Sequence, residues 1–470
     1  LLTASNQVIP ASHVSHEADQ EMFQMTHKKM LRSTTAMAAA TLTLSLAMAM
    51  SSRAQAQTAT EQKPAAEAAP VPAAAAPPPG YYVNGIRLGA QFQGGFYGNA
   101  DSPSSGINVG QSFTDRSNSI LLNQALFTVE KAVDKTATDY QFGFKIQAMY
   151  GTDARYTHFL NELSNVTSQR TQLDLVEASV SAHTPWLTSG GMDFKVGQFP
   201  TLLGFETIDP STNPFYSHSY IFNYSLPFKH TGALAITHVI PELDVYLQID
   251  TGNQTSFGFP PGGDNNGAIA GMAGVGSTLM DGNLTLLALS HFGPEQAGLL
   301  VGGAANSNYR YYNDALATYK INEKLSITTE VSWVHDELGL NLNGQKGADA
   351  YGVAQYVTYA LTDTIALNAR AEIFRDQNNF FVGNFTNSLG PVQALGGKGP
   401  ATLLAAAQTG TTYGAITLGF TYKPVVPDVI TNLMIRPEIR YDDSLSGGKP
   451  FADQTKSYAF FFGADVVLGF

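Results

Sequence analysis

The sequence predicts an all-β chain: a transmembrane antiparallel up-and-down barrel of about 16 strands, with its third external loop folded inward. Three observations predict it. Apolar and polar residues alternate with a period of two nearly everywhere from Leu88 onward, aromatic residues bracket the apolar faces, and short connections alternate with long ones.

The alternation is clearest in 140–150. Even positions read Tyr140, Phe142, Phe144, Ile146, Ala148 and Tyr150, while odd positions read Gln141, Gly143, Lys145, Gln147 and Met149. Opposite faces of one strand therefore meet different surroundings. In 365–373 the odd face is apolar and the even face carries Asn368, Arg370 and Glu372; in 433–441 the even face carries Arg436, Glu438 and Arg440. A soluble sandwich core and a lipid bilayer both produce such a pattern. The aromatic residues favour the bilayer: Tyr140 and Tyr150 bracket one strand, and Tyr309 and Tyr311 stand at one end of 309–321 with Tyr319 near the other. A tilted ten-residue strand rises about 25 Å, the height of an outer-membrane apolar band between its aromatic girdles. A sandwich would put its largest side chains in the middle.

The alternating segments lie near 88–97, 120–132, 140–150, 171–183, 192–199, 230–239, 243–251, 268–280, 284–291, 308–321, 325–336, 348–361, 364–376, 411–422, 433–442 and 457–470. Sixteen is an even number, as bacterial single-chain barrels require. Turns such as Ile240-Pro241-Glu242 and Asp281-Gly282-Asn283 follow even-numbered segments, while 98–119, 151–170, 200–229 and 377–410 follow odd-numbered ones. Short periplasmic turns opposite long external loops are the asymmetry expected of such a barrel. Pro437, on an apolar strand face, cannot donate to the ladder and implies a bulge.

Composition agrees. The chain has 470 residues, no cysteine, 44 glycines and 11% aromatic residues, with 14% charged residues against about 25% in soluble domains. The length alone would allow about three domains, but barrels run long as one. A net charge of −12 excludes an electrostatic nucleic-acid binder. The absence of cysteine excludes disulfide scaffolds, thiolate zinc sites and cysteine nucleophiles. A mean hydropathy of −0.07 is too low for a bundle of membrane helices.

Residues 1–24 are polar and patternless and read as an upstream extension, with the start at Met25 or Met30. Residues 25–56 read as a signal peptide: Lys28, Lys29 and Arg32, an apolar run from Ala36 to Met50, then Ala54-Gln55-Ala56 with small residues at the cleavage positions. Fifteen residues of helix reach about 22 Å, short of the ~30 Å hydrocarbon core, so a membrane anchor fits less well. Residues 57–80, rich in Ala and Pro, read as a disordered periplasmic tail ahead of an 81–470 barrel. Cleavage would leave a net charge of −13, because 1–56 holds four basic residues (Lys28, Lys29, Arg32, Arg53) and three acidic ones (Glu17, Asp19, Glu21).

The stretch from Lys195 to Thr255 carries Gly197-Gln198-Phe199, Gly204-x-Glu206, Asp209, Asn213, Tyr216-Ser217, Pro227-x-x-His230-x-Gly232 and Asp250-Thr251-Gly252-Asn253. With Gln124-Ala125, Leu126 and Glu130, it resembles the OmpL-like β-barrel porins, a proteobacterial outer-membrane family. The resemblance spans about 81–470. It implies a water-filled channel in the Gram-negative outer membrane for passive diffusion of small hydrophilic solutes and ions, and says little about which solute. On the last strand Tyr458, Phe460, Phe462, Ala464, Val466, Leu468 and Phe470 share one face, like the terminal signal read by the barrel assembly machinery. That machinery, outer-membrane lipids and lipopolysaccharide, and the solutes are the expected partners. Nucleic acid is not among them, no cofactor is expected, and a homo-oligomer is allowed.

Loop 200–229 is the candidate functional segment. It has four prolines (Pro200, Pro210, Pro214, Pro227) and many aromatic residues, among them Phe205, Phe215, Tyr216, Tyr220, Phe222 and Tyr224, that must bury against something. Its only acids, Glu206 and Asp209, would face wall bases Lys145, Lys195, Arg370, Arg436 and Arg440 across a pore constriction. The alternative is a cap on the barrel mouth with no role in selectivity. Other inward charges are Asp174, Arg310, Asp314, Glu330, Glu372 and Glu438. They imply water inside, or an internal salt-bridge network. Partly cancelling fields predict a mild cation preference that fades as salt rises. The ten histidines offer no metal site: His230 and His238 share a face about 26 Å apart and read as rim residues. No catalytic residues are expected. The competing functions are an outer-membrane lipase- or protease-like enzyme, for which His183, His218 and His335 lack partners at a telling spacing, and an adhesin or structural barrel.

Overall fold

The computed structural model describes residues 80–160, 162–163, 170–257, 263–296, 305–337, 347–382 and 410–470. The readings of 1–24, 25–56 and the tail up to residue 79 lie outside the described residues. The barrel strands are β2 (Ile86–Asn99), β3 (Ser119–Lys131), β4 (Gln141–Gly151), β5 (Gln172–Thr184), β6 (Met192–Pro200), β7 (Lys229–Ile240), β8 (Leu243–Asp250) and β9 (Ala270–Leu279). They continue with β10 (Leu284–Pro294), β11 (Tyr309–Lys320), β12 (Leu325–Asp336), β13 (Ala348–Ala360), β14 (Ile365–Asp376), β15 (Thr411–Tyr422), β16 (Asn432–Ser444) and β17 (Tyr458–Gly469). Each pairs antiparallel with the next. β17 returns to β2 in the register Phe461 opposite Asn99 and Gly469 opposite Gln91, which closes the barrel. The sheet thus has no free edge to satisfy in lipid.

A further strand, β1 (Tyr81–Val83), precedes these and forms a hairpin with β2, Val83 standing opposite Ile86. Its turn is Asn84-Gly85, both with positive φ (51° and 78°), the turn that best matches strand twist. The expected first strand began two residues late and omitted this hairpin, although Asn-Gly is a strong local signal.

Burial is inverted relative to a soluble protein. Ile120, Phe142, Val180 and Ile373 are exposed, while Arg310, Arg370, Arg436 and Arg440 are at most 1% exposed. The apolar face therefore points outward and the charged face inward, the opposite of a sandwich. β14 shows it residue by residue: Asn368, Arg370, Glu372 and Phe374 are buried, and Leu367, Ala371 and Ile373 are exposed.

Two bulges within the strands shift this parity; a third irregularity, with Val239 extra between His238 and Ile240, lies at the end of β7 beside its turn. In β3, Asn123 is the extra residue against Gln93/Gly94, so Asn123 and Gln124 are buried side by side. In β5, Val176 is extra against Gln147/Ala148, and both Asp174 and Glu177 become buried although one is even and the other odd. Strict alternation hides Glu177. The bulge expected at Pro437 is absent. Gly419 faces Glu438 and Tyr422 faces Ile435 in one unbroken register, and only the pairing between them lapses. A side chain at Gly419 would come within 2.6 Å of the Pro437 carbonyl, so glycine there lets the proline sit in the sheet without an inserted residue. Glycine does similar service in small-residue β9, where a Cβ on Gly274 would meet the Ala288 carbonyl at 2.1 Å.

Candidate functional site

Segment 201–228 joins β6 to β7 and carries a short helix, α2 (Tyr220–Tyr224), capped by Ser219 Oγ accepting from Phe222 N. (Helix α1, Ala154–Thr157, lies in the connection after β4.) An irregular segment has backbone N–H and C=O groups that neither helix nor sheet satisfies, and each must find another partner when buried. Here the barrel wall supplies them.

Wall carboxylates accept from the segment's amides. Asp314 accepts from Gly204 N (3.0 Å), Glu330 from Phe205 N (3.1 Å), Glu438 from Tyr216 N (2.8 Å) and Ser217 N (3.2 Å), and Glu372 from Tyr220 N (2.7 Å). Wall guanidiniums donate to its carbonyls. Arg370 reaches Ser217 O (2.9 Å), Arg436 reaches Pro210 O (2.7 Å) and Asn213 O (2.6 Å), and Arg440 reaches His218 O (2.9 Å). The guanidinium bonds are charge-assisted, roughly twice as strong as neutral ones. Aromatic contacts complete the seat. Tyr220 stacks on Tyr413 (4.9 Å between ring centres), Phe205 lies on Tyr356 (4.4 Å), Tyr216 meets Tyr97 edge-on (5.7 Å), and Phe222 meets Phe113 of the connection after β2 (5.3 Å).

The expected site residues divide into two groups. Glu206 and Arg370 meet at 2.7 Å, both buried, and Glu206 also accepts from Ser219 N (2.7 Å). Burial pushes the Glu206 carboxyl up, but the Arg370 guanidinium, His218 and the Ser219 amide outweigh it and hold the group down at about 2. Arg370 and Arg440 both reach Glu372 at 3.1 Å, Arg440 pairs with Asp442 (2.6 Å), and Arg436 pairs with Asp465 (2.5 Å). Asp209 is half-buried and makes a local turn: it accepts from Ser211 N (2.9 Å) and from Gln91 Nε2 of β2 (2.8 Å). Lys145 and Lys195 stand elsewhere. They bracket Glu177 at 3.1 and 2.8 Å and line a cavity of about 240 Å³. A second cavity, about 310 Å³, runs between Ser211–Pro214 of the segment and the turn residues Thr362–Thr364.

Glu177, Asp442 and Asp465 were not singled out from sequence. Asp442 and Asp465 were within reach of the alternation, because Asp442 shares the face of Arg440 and Asp465 lies opposite Arg436. Glu177 was hidden by the bulge. Outside the segment, Tyr140, Tyr150 and Tyr319 are exposed, and Tyr309 and Tyr311 half-exposed, their rings stacked at 6.1 Å. Tyr458, Phe460, Phe462 and Phe470 are exposed and Leu468 is half-buried, all on one face. Ala54 and Ala56 lie outside the described residues.

The comparisons agree with this geometry. Residues 85–470 match the family described as "Putative beta-barrel porin-2, OmpL-like". Among solved structures, OprB of Pseudomonas putida is similar with a TM-score of 0.50 and 13% identity, covering 82% of this chain and 94% of that one. The anion-selective porin of Comamonas acidovorans (TM-score 0.50, 6% identity, 82% and 99%) and OmpF of Salmonella typhi (0.50, 9%, 82% and 97%) are similar to the same extent. At these identities the likeness shows the fold. No curated protein matches the chain. Closed barrel, lipid-compatible outer face and family match together place the chain in the bacterial outer membrane as a porin channel: it belongs to the OmpL-like β-barrel porin-2 family.

Proposed function

We propose that the chain is a passive diffusion channel for small hydrophilic solutes and ions, narrowed by segment 201–228 folded into the lumen. The observation that carries this reading is the set of bonds from inward-facing wall carboxylates and guanidiniums to the segment's backbone. A sixteen-stranded barrel is wide enough to keep water beside such a segment. Within the constriction set, Glu206, Asp209, Arg370, Arg436 and Arg440 hold the segment, and Lys145 and Lys195 act on permeating ions. In the first group Glu206, Arg370, Arg436 and Arg440 are ion-paired and buried and Asp209 is half-buried and hydrogen-bonded; the two lysines are about a quarter and a third exposed and share one carboxylate. This favours a mild anion preference, opposite to the sign that the loop's acids alone suggest. Screening weakens it as the Debye length falls to about 10 Å near 0.1 M salt. The aromatic girdle, the C-terminal assembly signal, the lipid and lipopolysaccharide partners and association with further copies belong to the same proposal.

The test is the reversal potential of single channels in a KCl gradient. Lys145→Gln with Lys195→Gln should move it toward cations. An unmoved potential in the double variant would remove the lysines from the selectivity filter, and a strongly cation-selective wild type would contradict the assignment outright.

A further inference from the structure

We propose that His230, Asp250 and His291 form a binding site for one divalent transition-metal ion of the zinc type. The inference does not rest on the pore reading. The three residues stand at the ends of β7, β8 and β10 on the side from which segment 201–228 leaves the barrel, and all three side chains are fully buried. One ligand atom from each lies within 4.8 Å of the other two. Asp250 Oδ1 is 3.1 Å from His291 Nε2 and 3.7 Å from His230 Nδ1. Tetrahedral zinc with bonds of about 2.0–2.1 Å sets its ligand atoms about 3.4 Å apart, so small side-chain movements suffice. β9, between β8 and β10, places only the methyl group of Ala270 opposite Asp250, and the carboxylate and His291 meet across it.

The His230 imidazole is oriented by its other nitrogen, as in metal sites, while His291 has only a longer-range approach to a carboxylate there. His230 Nε2 lies 3.1 Å from Thr201 Oγ1, and its Nδ1, buried and without a hydrogen-bond partner, faces Asp250. His291 turns its Nδ1 toward Glu295 at 3.9 Å. Asp250 is fixed by Gly252 N (2.8 Å) and Gln248 Nε2 (2.6 Å). The charges also call for a cation: Asp250 and Glu295 bring two carboxylates, and the neighbouring Arg310 is paired with Asp336 at 2.7 Å. Two imidazoles and a carboxylate suit Zn²⁺, Co²⁺ or Ni²⁺ better than Mg²⁺ or Ca²⁺. Thr201 N donates to Phe228 O (2.9 Å) where the two ends of segment 201–228 meet, so the ion would tie down that stem. The three ligands are twenty and forty-one residues apart on separate strands, a spacing that marks no metal site in the sequence.

The test uses untagged protein refolded with Co²⁺. The expected result is one Co²⁺ per folded chain with the visible bands of a four-coordinate site, displaced by Zn²⁺. His230→Gln and His291→Gln should each weaken binding at least about a hundredfold, and Thr201→Val, which removes the orienting bond to His230 together with the turn bond from Leu203 N, about tenfold. A wild type that retains no cobalt after desalting overturns the proposal, as does cobalt binding unchanged when both histidines are replaced. Where a substitution prevents folding, the X-ray absorption spectrum of the Zn²⁺-loaded wild type decides: two imidazoles and a carboxylate oxygen support the site, and a shell without imidazole overturns it.

Discussion

Replacing Glu206 by Gln should destabilise the folded barrel by about 3 kcal/mol at neutral pH, and the loss should disappear in acid. The carboxyl sits at about 2 in the fold against 4.5 unperturbed, and each unit of such a difference is worth about 1.4 kcal/mol. Removing one partner of a buried ion pair leads to a similar figure, about 3–5 kcal/mol. Glu372 beside Arg370 keeps the guanidinium partly compensated and favours the lower end. Because the folded value lies below the unfolded one, this stabilisation is complete above about pH 4.5 and vanishes as pH falls toward 2. Wild type and Glu206→Gln should therefore differ most at pH 7 and converge near pH 2. Other carboxylates titrate in both proteins and cancel in the difference. Urea unfolding of vesicle-refolded barrel, followed by tryptophan fluorescence and by the heat-induced mobility shift, measures it. A difference below about 1 kcal/mol at pH 7, or one that does not change with pH, would refute the assignment of the Glu206–Arg370 pair as the latch of the segment.

Three further outcomes are expected. Val353→Arg, on the exposed face near the middle of β13, should cost about 2–4 kcal/mol in lipid; a neutral effect by vesicle unfolding would mean that this face does not meet hydrocarbon. The chain has no cysteine, so Ser217→Cys, at a fully buried position, should resist a membrane-impermeant maleimide on intact cells while exposed Lys449→Cys in the connection after β16 reacts; equal labelling would place segment 201–228 outside the barrel. N-terminal sequencing of outer-membrane material should begin at Gln57, and a start near Leu1 or Ala36 would remove the signal-peptide reading.

The strands were legible because a barrel wall separates two solvents, and a period of two records that separation directly. All sixteen expected strands are present, and even weak β9 pairs with β8 and β10 along its length. What was not legible falls where one residue breaks the period. Val176 and Asn123 each add a residue to a strand, and nothing in composition marks them. Glu177 thus reads as lipid-facing in strict alternation, yet it is the shared partner of Lys145 and Lys195. The expected site was a confrontation of loop acids with wall bases. Glu206 with Arg370 was legible as a pair of opposite charges, but its neutralisation was not, because that depends on the segment lying close enough to exclude water. Contacts between distant strands are the least visible: His230, Asp250 and His291 have no spacing to recognise, and only the closed sheet brings them together.

The inward charges of this barrel answer a backbone problem as much as a permeation one. A loop rich in proline and aromatic rings cannot form ladders of its own, yet burying it leaves each amide and carbonyl in need of a partner. An apolar wall could hold the rings but not the backbone. Wall acids at Asp314, Glu330, Glu372 and Glu438 meet amides, and wall bases at Arg370, Arg436 and Arg440 meet carbonyls. Each of these arginines also pairs with a carboxylate, so the bases of the seat are neutralised, while Asp314, Glu330 and Glu438 accept from the segment's amides. Of the expected set, Lys145 and Lys195 on the wall and the half-buried Asp209 on the segment remain accessible to water.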